Sequence, residues 1–234
     1  MSNPRKILVI IPARGGSKGV PKKNVKLMNG YPMIYYTINA ALSSKLVNRV
    51  VVSTDDEEIA KIAKKYGAEV PFMRPNSLAE DTTPTLPVLK DVVKSLEKKE
   101  GYIPDVVVLL FPTYPLRPSK YIDQAIEKLI ETNAKSVCTV YETDKHPYWM
   151  SELEGDKSSF FKDEKTRISR RQDLPKYYML GGGIFVYYID CLMKLETTHF
   201  SLEDNRVVIM PAENCIDIDE PKDFIIAETL MKNL

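Results

Sequence analysis

The sequence predicts an α/β fold, a mainly parallel sheet covered by helices, and three observations carry that expectation. Short β-branched runs alternate with amphipathic stretches along most of the chain, the pattern of strand and crossover helix repeated. A glycine-rich basic loop follows the first apolar run, where ligands of open α/β sheets are met. The length of 234 residues with 44% hydrophobic content is ample for one sizeable core, so residues 1–234 are expected to form a single domain.

Strands are expected near Ile7 to Ile11, Arg49 to Ser53, Val106 to Phe111, Ser136 to Val140, Gly183 to Tyr187 and Arg206 to Met210. Helices fall between them. In "DDEEIAKIAKKYG", Asp55 is placed to cap, with Glu58 three residues on; Ile59, Ile62, Ala63 and Tyr66 share a face, and Gly67 stops the helix. "SKYIDQAIEKLIETN" repeats the logic with Ile122, Ala125, Ile126, Leu129 and Ile130. From about Tyr141 to Leu180 the alternation breaks down into charged, turn-rich sequence. A structureless loop of that length is uncommon unless it serves as a lid or interface, so the stretch is read as a functional or dimer-forming excursion.

A net charge of +1 leaves no global electrostatic footprint for nucleic acid, and an anionic partner has to be met by local charge. No apolar run approaches the roughly 18 residues a membrane span needs, and no signal peptide is legible at the N-terminus. Cys138, Cys191 and Cys215 are far apart, and with His146 and His199 they make no zinc spacing. They read as buried thiols of a reducing cytoplasm.

The local charge sits in "PARGGSKGVPKKN", Pro12 to Asn24, where three glycines lie among Arg14, Lys18, Lys22 and Lys23. Glycines let backbone N–H groups approach a ligand closely, and convergent N–H groups make an anion nest. The two familiar phosphate fingerprints, G-x-x-x-x-G-K-[ST] and a G-x-G-x-x-G opening a helix, are both missing. The loop is therefore phosphate-binding of another class. Near the other end, "CIDIDEPKDF" puts Asp217 and Asp219 two residues apart on an extended segment, so both carboxylates project from one face. Such a pair suits Mg²⁺ shared with substrate phosphates. The alternative is that Asp219 caps the helix beginning near Pro221. "STDDEE" offers a second acidic cluster, but capping accounts for Asp55 and Glu58, and His146 before a proline reads as a turn residue. A triphosphate loop with a carboxylate pair suggests nucleotidyl transfer by positioning and charge stabilisation.

These residues resemble the acylneuraminate cytidylyltransferases. The resemblance rests on "IPARGGSKGVPKKN", "VVSTDDEEIAKIAKKYGAEVPFMRP", "LAEDTTPT", "FPTYPLR", "RRQDLP" and "IDIDEPKDF", in the family's order over nearly the whole chain. It implies a Rossmann-like sheet with helices on both faces. It also implies Mg²⁺-dependent attack of an acidic nine-carbon sugar's anomeric hydroxyl on the α-phosphorus of CTP, releasing pyrophosphate. By that resemblance Arg14, Lys23 and Asp219 are catalytic, and Ala13, Arg14, Gly15, Ser17, Lys18, Lys23, Asn24, Arg74 and Thr85 surround the nucleotide. Asp217 and Asp219 match the metal carboxylates, Phe111, Arg171, Gly181 and Phe185 lie toward the sugar, and the excursion at about 141–180 matches a segment exchanged in a homodimer.

Two motifs depart from the family's pattern, at five positions. The family's Q-P-T-S-P-L-R is "FPTYPLR" here, with Phe111 and Tyr114 for glutamine and serine, and its R-x-N-G-A-I-Y is "MLGGGIF", with Met179, Gly181 and Phe185. All are read as sugar-side changes, with Gly181 freeing space, so a legionaminic or pseudaminic acid, bearing a terminal methyl and extra acylamino groups, is expected over N-acetylneuraminate. An octulosonate cytidylyltransferase, a glycosyltransferase using "DID" as its D-x-D, and a non-catalytic binding relative remain as alternatives.

Overall fold

A six-stranded sheet in the order β10-β6-β9-β5-β1-β4 runs through the computed structural model, which describes residues 5–16, 19–161, 170–196 and 203–232. The first strand, β1 (Ile7–Pro12), is followed by a two-stranded ribbon, β2 (Leu27–Met28) and β3 (Tyr31–Pro32), then by α1 (Met33–Leu42), β4 (Arg49–Ser53) and α2 (Glu57–Lys65). The chain continues through α3 (Thr85–Glu100), β5 (Val106–Leu110), α4 (Ser119–Thr132) and β6 (Ser136–Glu142). After a hairpin of β7 (Ser151–Glu154) and β8 (Lys157–Phe160) come β9 (Tyr178–Tyr188), α5 (Ile189–Lys194), β10 (Asn205–Ile209) and α6 (Pro221–Met231). Strand β1 pairs parallel with β4 and β5, and β10 parallel with β6. Strand β9 lies antiparallel between β5 and β6.

The period of two in a strand decides the layers. Ile7, Val9 and Ile11 pack on one face against Ile34 and Ile38 of α1, Ile59 of α2 and Ile126 of α4. Leu8 and Ile10 face the other side, against Leu86, Leu89 and Val93 of α3 and Leu192 of α5. The expected sheet with helices on both faces is what forms, each such buried side chain contributing about 1.5–3 kcal/mol. A third cluster joins Val20 of the glycine loop, Met28, Met33, Leu116, Ile218 and Phe224 of α6. This small core carries the ligand-facing loops.

Several local expectations are corrected. The α2 cap is Asp56, whose carboxylate accepts from Ile59 N at 2.9 Å; Asp55 is turned the other way, accepting from Gly15 N at 3.0 Å. Either aspartate satisfies a capping pattern in sequence, and the demand of the glycine loop selects which one caps. The excursion between Tyr141 and Leu180 holds the β7–β8 hairpin, and β9 begins five residues before Gly183, where the strand was expected to start. Gly182 and Gly183 adopt φ of +74° and +58° inside the strand, where the register with β6 shifts between Cys138 and Val140. The triplet is thus a bulge within a strand, not its start. His146 is a turn residue: its ring accepts from Tyr148 N at 3.2 Å and its other nitrogen meets Pro175 O at 3.0 Å. Cys138 and Cys215 are buried free thiols, whereas Cys191 is only half-buried.

Candidate active site

The glycine loop and the acidic segment meet across a cleft of about 520 Å³ lined by Pro12, Arg14, Gly19, Lys23, Asn24, Phe111, Pro112, Thr113, Asp219 and Glu220. They are some 195 residues apart in sequence, yet Lys23 Nζ donates to Ile218 O at 2.6 Å and to Asp219 Oδ1 at 3.2 Å. Lys23 opens a short 3₁₀ turn, Lys23–Val25, entered through Lys22 in the left-handed region at φ +53°. Asn24 is buried and donates Nδ2 to Arg14 O at 3.0 Å, tying the two ends of the loop together. Gly19 is where the two constellations touch most closely, since a methyl group built there falls 2.2 Å from Asp219 O.

Arg14 is held by Asp81, Nη1 to Oδ1 at 2.7 Å. Gly15 N is likewise given to a carboxylate, that of Asp55, so one cationic and one backbone donor of the loop are each held by an aspartate. Ala13 is buried, its N–H on Ser53 O at 2.9 Å. Arg74, also buried, donates Nε to Ser53 Oγ at 3.1 Å and Nη2 to Ser53 O at 2.5 Å, and burial holds its pKa down to about 10. That leaves it a cation near neutral pH, fixing the carboxyl end of β4. Thr85 begins α3, and neither it nor Arg74 is among the residues lining the cleft. Ser17 and Lys18 lie outside the described residues, as does the side chain of Arg171.

The acidic segment resolves the capping alternative. Glu220 is the N-cap of α6, in a reciprocal box with Asp223, so Asp219 is not the cap; its side chain stands 72% exposed beside Lys23. Asp217 is different. Burial raises its pKa, and the neighbouring Asp219 charge adds to that, while hydrogen bonds from the Thr113 and Tyr114 side chains and the Lys23 charge oppose the rise. Its Oδ1 is buried with no hydrogen-bond partner. A desolvated carboxylate oxygen left open beside a second carboxylate fits a hard divalent cation. No group of three or more potential metal-binding side chains occurs among the described residues, so remaining ligand positions would fall to substrate oxygens and water.

The sugar-side expectations divide. Phe111 lines the cleft, and its ring packs edge-on against Phe185 at 5.9 Å. Phe185 itself is 5% exposed within the core behind it. The expected room at Gly181 is corrected: a methyl group there would meet Tyr141 Cδ1 at 2.5 Å and Cys215 Cβ at 2.9 Å. The residue is small because those side chains fill the space. Met179 is 42% exposed and receives the Tyr141 hydroxyl at 3.6 Å. Sequence reasoning missed Asp81, Thr113 and Arg117. Arg117 is 2% exposed and donates to Phe111 O, Gly182 O and Gly183 O at 3.3, 2.7 and 3.4 Å, and to Thr37 Oγ1 at 3.1 Å. A second cavity, of about 260 Å³, is lined by Glu142, His146, Trp149 and Lys176 among others, and includes no residue of the loop or the acidic segment.

Comparison with known proteins agrees with this geometry. A family model described as Cytidylyltransferase matches residues 8–232. A pseudaminic acid cytidylyltransferase of Campylobacter jejuni is 35% identical over 227 residues, covering 97% of both chains. A CMP-N,N'-diacetyllegionaminic acid synthase of Legionella pneumophila is 33% identical over 232 residues, again covering 97% of both. The structure of CMP:2-keto-3-deoxy-manno-octonic acid synthetase complexed with CTP aligns with a TM-score of 0.71 at 20% identity, covering 97% of this chain and 99% of that one, a likeness of fold. A chain matched over nearly its whole length, with its loop and its acidic segment joined across one cleft, belongs to the cytidylyltransferase family.

Proposed function

We propose that the protein transfers CMP from CTP to the anomeric hydroxyl of an acidic nine-carbon sugar and releases pyrophosphate. The observation that carries this is the single ammonium of Lys23 bridging to Ile218 O and Asp219 Oδ1. It brings the cation of the glycine loop onto the acidic segment at one cleft, where Lys23 and Asp219 both form the lining. Arg14 and Lys23 bind the triphosphate and stabilise the charge that grows on the leaving pyrophosphate, Asn24 holds the loop in shape, and Asp219 accepts the hydroxyl proton. Asp217 and Asp219 would hold Mg²⁺, which when bound supplies neutralisation of phosphate charge. A D-x-D glycosyltransferase has no need of the triphosphate loop, and the octulosonate enzyme's likeness is one of fold at 20% identity.

The sugar is the finer question. An N-acylneuraminate cytidylyltransferase of Escherichia coli is 34% identical over 229 residues, 97% of this chain and 52% of that one, against 35% and 33% for the pseudaminic and legionaminic acid relatives, so identity over the shared region does not rank the substrates. With Gly181 closed, the preference rests on Phe111, an apolar wall where a hydrogen-bonding side chain is usual. Such a wall favours methyl-bearing sugars by about 1–3 kcal/mol per methylene-sized group. The test is pyrophosphate release from CTP and Mg²⁺ with N-acetylneuraminic, legionaminic and pseudaminic acids. One of the latter two is expected to lead in kcat/KM, and Phe111→Gln to move the ranking toward N-acetylneuraminate. Release with none of the three overturns the function, and a tenfold lead for N-acetylneuraminate that Phe111→Gln leaves unmoved overturns the sugar assignment.

The protein is proposed to act in the cytoplasm as a homodimer. Among the described residues no helix is long and apolar enough to cross a membrane. Around the β7–β8 hairpin Trp149, Met150, Leu153 and Phe161 are 41%, 44%, 74% and 58% exposed, an apolar surface of the kind interfaces bury. Sedimentation equilibrium at micromolar concentration is expected to return twice the chain mass, and a monomer mass counts against the arm as an interface.

A further inference from the structure

At the β9 bulge three consecutive carbonyls have donors outside the β6 backbone. Gly181 O accepts from Thr139 Oγ1, Gly183 O from Phe111 N at 3.0 Å, and Gly182 O from Arg117 Nη1 at 2.7 Å. The same arginine nitrogen reaches Phe111 O at 3.3 Å and Gly183 O at 3.4 Å, while Nη2 donates to Thr37 Oγ1 of α1 at 3.1 Å. One side chain thus joins β9, α1 and the loop after β5.

Arg117 is 2% exposed, its acceptors are all neutral oxygens, and its Nε is buried with no partner. A buried cation bonded to no carboxylate is costly, so stability alone does not account for an arginine here. Burial holds its pKa down to about 9, which leaves it charged near neutral pH. Its acceptors show what it arranges. Phe111 lines the cleft with Pro112 and Thr113, and Arg117 lies at the other end of the same loop, fastening the Phe111 carbonyl to β9. Gly183 completes the seat from below: a methyl group there would fall 3.1 Å from Phe111 Cβ and 2.5 Å from Tyr114 Cδ2, so both side chains pack over the glycine.

We propose that Arg117 is a positioning residue for one wall of the cleft, Phe111 to Thr113, fixing it to the β9 bulge so that the Phe111 ring meets the sugar in a single place. Its planar fork serves β9 with one nitrogen and α1 with the other, which a lysine ammonium, a single point of charge, does not reproduce. The assignment rests on the reading that Phe111 faces the sugar, and the experiment separates the two claims.

A double-mutant cycle in kcat/KM with the preferred of the three sugars, run beside calorimetry with CTP, tests this. Arg117→Lys is expected to lower kcat/KM about tenfold through a wall displaced by a fraction of an ångström, mainly in the KM of the sugar, with the Kd of CTP within about twofold of the parent. In the Phe111→Gln background the same substitution should cost about threefold or less, because the ring it positions is gone. Thr37→Val, which removes only the α1 acceptor, is expected to lower kcat/KM about threefold, the worth of one neutral hydrogen bond, and decides the matter if Arg117→Lys does not fold. No turnover by the parent with any of the three sugars overturns the function and this assignment with it, and a Phe111→Gln variant equal to the parent with every sugar overturns the placing of Phe111 and the assignment together. Equal losses in both backgrounds, or a folded Arg117→Lys with the parent's constants, overturns the role of Arg117 alone. So does an unchanged Thr37→Val where Arg117→Lys fails to fold.

Discussion

Replacing Lys23 with alanine is expected to lower kcat by 10²-fold or more, about 2.7 kcal/mol of transition-state stabilisation, while the Kd of CTP rises far less. Two effects act together. On the proposed function the ammonium faces the leaving phosphates, and its bonds to Ile218 O and Asp219 Oδ1 tie the acidic segment to the loop, so its loss also removes that tie. Its side chain is 14% exposed, so water screens its charge less than that of a fully exposed lysine. Pre-steady-state turnover with a saturating sugar, alongside calorimetry with CTP, separates kcat from binding. Turnover within a few-fold of the parent would make Lys23 a structural tether and remove it from the chemistry.

Gly19→Ala is expected to cost about as much, for a steric reason. The new methyl group meets backbone, Asp219 O at 2.2 Å, and backbone cannot rotate aside as a side chain can. The loop and the acidic segment must separate, and a misplacement of about 1 Å between catalytic groups can cost 10²-fold in rate. The fold should survive, because overpacking at one contact costs about 1–3 kcal/mol and Gly19 lies outside the two sheet-face clusters. The expected result is a loss of kcat/KM near 10²-fold with a melting temperature within several degrees of the parent. Full activity would show that the two segments do not need this close approach.

How much of this could be read from the sequence depended on whether a feature is local. The six main strands and the helices between them were legible because short β-branched runs buried on both faces alternate with stretches of helical period. The loop and the Asp217–Asp219 pair were legible as chemistry, since glycines with cations and spaced carboxylates are unusual in combination. Their contact through Lys23 was not, because no pattern within either segment encodes a partner some 195 residues away. Asp55 and Asp56 look alike to the capping rule, and only the Gly15 N–H distinguishes them. Gly181 misled for a related reason: a small side chain signals either open space or a neighbour already there, and here Tyr141 and Cys215 are the neighbours. Tyr114 was noticed as a departure, but that its ring packs over Gly183 could not be seen from within its own motif.

The antiparallel strand β9 sits at the middle of the sheet but near the end of the order in which the chain is made. Strands β5 and β6 share no pairing with each other, and each is bonded to β9. Until residues 178–188 emerge, β1, β4 and β5 can form one half of the sheet while β6 has no strand to pair with, and the facing edges of β5 and β6 stay open. Closure is a late, long-range event of the kind that makes folding slow and leaves edges open to other chains. The charged arm between β6 and β9 is thus also the tether whose length sets how quickly the closing strand finds its gap.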